Sequence, residues 1–279
     1  PPELQKSQWT KCLLQGGNIR ATAIWAGELV DEARVRHQIT SLDDAVVLGE
    51  GLIAALLLAS TCKSGEHVSL SLKPAADNPS PIRQLVADAE PEGTVRGFII
   101  KQTGDGARLA ETHDGKAEGG RWIDGLLSVV RLKEYEKEPY TGAVPALTGH
   151  ISKDLTFYLS QSEQTPSAVG IAVSHDGKRV DFAGGFLVQI LGGASPEEVA
   201  LVESNIHQMK ALAEKLKGFN HPTQLLARIF SGFTFSILEE RELKFKCKCN
   251  RERVIRALKL VGREELKTLV HADGSASVH

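Results

Sequence analysis

Two cysteines stand one residue apart, Cys247 and Cys249, inside the stretch KFKCKCNRER, where lysines 244, 246 and 248 alternate with Phe245 and the two thiols. In an extended chain this alternation sends both sulfurs to one face and the cations to the other. Paired soft donors at that spacing suit two kinds of chemistry. They supply two of the four tetrahedral ligands of a structural zinc, or they are oxidised together as a dithiol. Between residues 244 and 256 six Lys or Arg stand against one acid, Glu252, which favours thiolate over thiol and so helps both. Further ligand candidates in the chain are His271, His279 and the distant Cys12 and Cys62. A lone C-x-C is far less specific than paired C-x-x-C motifs. Three readings compete with it: a solvated basic face with incidental cysteines, the dithiol of a thiol oxidoreductase, and the basic strand of a zinc-ribbon-like RNA- or ribosome-binding module.

The chain that must position these residues has 279 of them, 42% hydrophobic and 24% charged, with a formal net charge of -2. That is enough to bury an ordinary core and to divide into two domains, or one domain and an appendage. The near-zero charge argues against a global nucleic-acid or acidic-membrane footprint, so no specific nucleic acid is expected as partner. Four cysteines are too few and too unevenly placed for a secreted disulfide framework, which points to a reducing compartment, the cytoplasm, or an organelle if a targeting segment has been removed. The opening PPELQKSQW has no apolar run after a basic start, so no signal peptide is expected. The most apolar stretch, residues 52–59, falls well short of the roughly 20 residues that span a bilayer.

Three zones follow along the chain. Residues 1–194 mix short alternating segments with helical ones and show no βαβ regularity, so an α+β core domain is expected. NIRATAI and HVSLSLK read as strands, the second with Val68, Leu70 and Leu72 on one face. GELVDEARVRHQ reads as a helix with Leu29, Val30 and Ala33 toward the core. Ser41 and Asp44 form a capping pair before DDAVVLGEGLIAALLLASTC, apolar on nearly every side and therefore a buried helix. PIRQLVADAEPEGTVRGFII reads as two strands joined by a turn at residues 91–93.

Residues 195–238 form a helical linker. Ser195, Pro196 and Glu198 are the N-cap, N1 proline and N3 glutamate of a helix that Gly218 closes. Val199, Val202, Ile206, Met209, Leu212 and Leu216 recur at helical spacing as one apolar stripe that must lie against another surface. HPTQLLARIF is a second short helix, and FTFSIL is extended. Residues 239–279 hold the C-x-C, followed by a helix in RERVIRALKLVG capped by Asn250.

Elsewhere the chemistry is sparse. Gly49-Glu50-Gly51 lacks the lysine of a phosphate loop and is read as helix packing. Glu50 is read as a paired buried carboxylate, His37 as a helix-end residue, and Cys12 and Cys62 as inert packing. No serine or cysteine nucleophile has a convincing neighbouring base, so no catalytic residue is assigned and the chain is not expected to be an enzyme.

The ordered blocks NIRATAI, ELVDEARVRHQ, DDAVVLGEGLIAALLLAS, PIRQLVADAEPEGTVRGFI, YLSQSEQTPSAVGIAV, AGGFLVQILGGA, HPTQLLARIF and FKCKCNRERVIRALKLVGREEL together resemble the Hsp33 family, redox-regulated bacterial holdase chaperones. The resemblance covers nearly the whole chain. It implies an α+β core, a helical linker packed on it, and a C-terminal zinc domain whose four thiolates come from the C-x-C, here Cys247 and Cys249, and a later C-x-x-C. It also implies ATP-independent binding of unfolded client proteins, stress-response activation by disulfide formation with zinc release, and a capacity to form homodimers. The linker stripe at Val199, Val202, Ile206, Met209 and Leu216 is the candidate client-binding surface.

This sequence departs from the family pattern in having no C-x-x-C. The family's second pair falls roughly thirty residues past the first, and Cys249 plus 30 is His279, where the chain stops. The expectation is a truncated zinc domain here, with Zn2+ carried by the intact reduced protein and absent from this chain. A lobe of about 40 residues is at the size where folding usually needs a metal or disulfides. Cysteines at i and i+2 of a strand have Cα atoms about 6.6 Å apart, near the upper end for a disulfide, so their bridge is expected to be readily reducible.

Overall fold

The computed structural model describes Leu4, residues 6–78, 80–101, 124–133, 139–209 and 218–247, together with Glu252, Ile255, Arg256, Leu258 and Lys259. By contacts the chain divides into two compact units, Pro1–Phe245 and Lys246–His279. The first contains β1 (Gln8–Leu14), β2 (Ile19–Trp25), α1 (Gly27–Arg36), α2 (Leu42–Ala59), β3 (His67–Lys73), β4 (Ile82–Ala89) and β5 (Thr94–Lys101). It continues with β6 (Gly125–Leu132), β7 (Tyr140–Ala146), α3 (Ile151–Gln161), β8 (Ser167–His175), β9 (Val180–Ile190), α4 (Pro196–His207), α5 (Pro222–Ile229), β10 (Phe235–Glu242) and β11 (Lys244–Phe245). The fold is α+β, as the sequence indicates.

The strands form two sheets, one ordered β10-β1-β2-β9-β8 and one ordered β11-β5-β4-β3-β6-β7. Every pairing is antiparallel except β11 on β5. Helix α2 packs on β3, β4 and β5 of the second sheet and on β8 and β9 of the first. That is why its sequence is apolar all round: a helix between two sheets has no face for water. Ser41 caps it by accepting from the Asp44 amide at 3.2 Å. A Cβ on Gly51 would come within 2.5 Å of Leu85, and one on Gly49 within 2.9 Å of Val30, so both glycines set helix-to-neighbour spacing and neither belongs to a phosphate loop.

A second apolar cluster lies on the opposite face of the first sheet. Cys12, Leu14, Ile19, Ala21, Ala23, Trp25, Phe182, Phe186 and Val188 of the sheet meet Val202 and Met209 from the linker and Leu225, Leu226, Ile229 and Phe230 of α5 and its end. The linker helices therefore roof this sheet.

Two boundaries differ from the sequence expectation. The first linker helix closes at His207 rather than Gly218: the amides of Gln208 and Met209 bond the carbonyls of Ser204 and Ile206, and the resulting turn tucks Met209 into the cluster. The chain from 235 to 245, divided by the sequence between linker and C-terminal domain, instead supplies strands to both core sheets. β10 runs along β1 from Phe235 opposite Leu14 to Glu242 opposite Gln8, because the edge of β1 needs a hydrogen-bonding partner.

Candidate functional site: the thiol motif and the roofed sheet

The approach to the C-x-C crosses from one sheet to the other within a single residue. β10 ends at Glu242, Leu243 donates its amide to the Ser7 carbonyl at 2.9 Å, and Lys244 donates to the Gly93 carbonyl at 2.9 Å before β11 pairs with Thr94 and Val95 of β5. Gly93 has φ +86°, and a Cβ there would lie 2.8 Å from the Glu242 carbonyl, so the close crossing requires glycine. Leu243 and Phe245 are buried while Lys244 is exposed. The Phe245 ring stands edge-on to His37, centroids 5.8 Å apart at 82°, and the Arg36 guanidinium carbon lies 5.8 Å from the Phe245 ring centroid.

Two residues beyond this anchor, Cys247 is exposed. The strand ends at Phe245, so the alternation is seen at Leu243, Lys244 and Phe245. Cys249 lies outside the described residues, as do His271, His279, Leu212 and Leu216. Glu252, Ile255, Arg256, Leu258 and Lys259 are helical, in line with the helix read in RERVIRALKLVG.

The other two thiols have different surroundings. Cys12 is 0% exposed in the second cluster, and burial pushes its pKa up to about 12. Cys62 is half-buried and raised mainly by burial, with Arg131 Nη1 donating to its sulfur at 2.9 Å. Neither is a ready nucleophile, which agrees with the packing role read from sequence. Among the described residues no three His, Cys, Asp or Glu side chains are grouped to hold a metal.

The linker stripe is split by depth. Val202 and Met209 are buried, and Val199 and Ile206 are half-buried. The sheet beneath the roof contributes Trp25 at 0% exposure, edge-on to Phe182 with centroids 5.6 Å apart. Asn205 ties the roof together, its Nδ2 donating to the carbonyls of Ile229 at 3.0 Å and Ser231 at 2.9 Å. Two buried polar atoms on this sheet face, Thr10 Oγ1 and Trp25 Nε1, have no hydrogen-bond partner among the described residues.

Residues 7–279 match the family described as Hsp33 protein. The chain belongs to the Hsp33 family. It is 33% identical over 269 residues to a 33 kDa chaperonin of Limosilactobacillus fermentum, covering 95% of this chain and 89% of that protein. A 33 kDa chaperonin of Geobacter sulfurreducens is 35% identical over 272 residues, covering 96% and 87%. Among solved structures, the Hsp33 homologue of Thermotoga maritima superposes with a TM-score of 0.82 at 33% identity, covering 95% of this chain and 88% of that one. In this Hsp33 chain, sequence reasoning missed the His37–Phe245 anchor. The signal for it was the alternation of Leu243 and Phe245 with exposed Lys244 just before the cysteines.

Proposed function

We propose that this protein is an ATP-independent holdase chaperone for unfolding proteins, switched on by oxidation at Cys247 and Cys249. Its relatives are named chaperonins. The observation that carries the switch is the contrast among thiols: Cys247 is exposed in a basic stretch immediately after the core, whereas Cys12 and Cys62 are buried or half-buried with raised pKa values. With peroxide as oxidant, the two thiols give up two protons and two electrons, one S–S bond forms, and the peroxide O–O bond is reduced to two waters.

Two thiols one residue apart fit half of a structural zinc site by donor chemistry, and Cys247 and Cys249 would hold the metal there with two further donors. Bound zinc would supply a cross-link to a unit too small to fold readily without one. Sulfurs joined in a disulfide are no longer thiolate donors, so oxidation and metal retention exclude each other. Loss of order in that unit would loosen the segment anchored by Phe245 and the linker roof. Clients would then meet the apolar surface of Val199, Val202, Ile206 and Met209 and the sheet face beneath. Homodimer formation and a cytoplasmic setting belong to the same reading. Among the described residues no helix is long and apolar enough to cross a membrane.

The test is light scattering from a thermally unfolding enzyme. Peroxide-treated protein should suppress aggregation at near-stoichiometric ratio, dithiothreitol should reverse this, and Cys247→Ser with Cys249→Ser should abolish the peroxide dependence. Equal suppression by reduced and oxidised protein would remove the switch.

A further inference from the structure

A small cleft opens where the end of α2 meets the first sheet. It has a volume of about 100 Å³ and is lined by Lys11, Arg20, Thr22, Thr61, Gln189 and Leu238 among others, ample space where roughly 10–15 Å³ on this measure admits one water. Arg20 and Gln189 are cross-strand partners on β2 and β9. Arg20 Nε donates to Gln189 Oε1 at 2.9 Å. Guanidinium only donates, so the amide oxygen must face Arg20, which leaves the Gln189 NH2 turned elsewhere. Gln189 is only 2% exposed, yet that NH2 group makes no hydrogen bond among the described residues, and neither do the two terminal nitrogens of Arg20. A largely buried amide such as that of Gln189 normally has partners for its donors, and the half-buried Arg20 turns its terminal nitrogens to the cleft it lines.

The charges around the cleft leave it positive. Arg131 lies close enough to Arg20 that burial and this second cation lower the Arg20 pKa, with Glu163 acting the other way. Glu163 is already engaged by Arg131, at 2.8 Å to Nε and 2.6 Å to Nη2. Lys11 is paired with Glu239 at 3.1 Å, and Glu239 also accepts from Trp9 and Arg241, so the positive charge of the cleft is that of Arg20. The negative end of α2 does not oppose an anion strongly, because the carbonyls of Leu57 and Leu58 accept from the hydroxyls of Ser60 and Thr61.

We propose that this cleft is a subsite for a small oxyanion of the phosphate class, held by the terminal nitrogens of Arg20 and the amide NH2 of Gln189, with Lys11 at its rim. Such a ligand would satisfy donors on two strands at once and brace the sheet beside the end of α2. The assignment does not depend on the thiol switch.

Isothermal titration of the full reduced chain with inorganic phosphate, at ionic strength held constant with chloride, tests it. One site per chain is expected, with a rise in Tm. Arg20→Gln should weaken binding at least tenfold, while Lys153→Gln, which removes an exposed charge on α3, should leave it unchanged. Glycerol phosphate run in parallel separates the sources: binding of both ligands marks the phosphoryl end of a larger molecule, and binding of phosphate alone marks the free ion. Gln189→Glu tethers a carboxylate beside Arg20, so it should fold and lose the phosphate response. Phosphate stabilising no better than chloride, or either cleft variant binding it as the parent does, would overturn the assignment.

Discussion

Phe245 packs edge-on against His37 at 5.8 Å between centroids, joining the strand that leads into the C-x-C to the end of α1. Leu243, also buried, precedes it, so the core closes two residues before the first thiol of the pair. The anchor sits in a strand with only two paired positions on β5. Side-chain burial, rather than backbone pairing, must therefore hold it.

Replacing Phe245 with Ala should cost about 3–5 kcal/mol, as for Phe→Ala at other buried sites. Urea unfolding followed by fluorescence would show a lower midpoint, and the His37 ring resonances should lose their aromatic shift. A change below about 1 kcal/mol would mean that the crossing is held by its backbone bonds instead.

Asn205→Ala removes the donor that serves both Ile229 and Ser231. Leaving a buried carbonyl unsatisfied costs about 1–3 kcal/mol. The loss should be local: amide hydrogen exchange in α5 should quicken while β3 and β4 keep their protection. Uniform acceleration across both sheets would show that the roof and the core open as one unit.

Glu239 gives a pH dependence. Burial acts to raise its pKa, but hydrogen bonds from Arg241, Lys11 and Trp9 outweigh this and hold it below the ordinary 4.5. A depressed folded-state pKa means stabilisation present above pH 4.5 and lost as pH falls through the lower folded value. Acid unfolding of Glu239→Gln should therefore be less steep than that of the parent below pH 4.5, with the two curves running parallel above it. Divergence confined to neutral pH would assign the acid sensitivity elsewhere.

Much of this fold was legible before any coordinates. Ser195, Pro196 and Glu198 announced the start of α4, and the capping box is present as read. Val68, Leu70 and Leu72 alternate with polar residues and are all 0% exposed. These features are local: a cap or a period depends on residues within one or two turns of each other. The C-x-C was legible as chemistry for the same reason, since two thiols one residue apart are a pair in any fold.

The oxyanion cleft had no such signature. Arg20 and Gln189 are 169 residues apart in sequence and meet only because β2 and β9 pair in one register. His37 looked like a helix-end residue and becomes a packing partner only when β11 returns to α1. Likewise the linker stripe declared that it needed a surface, but the pairing of β10, β1, β2 and β9 decided which one. Sequence fixes which faces are apolar and where thiols lie; long-range strand pairing decides what each face meets, because that choice rests on contacts no local window contains.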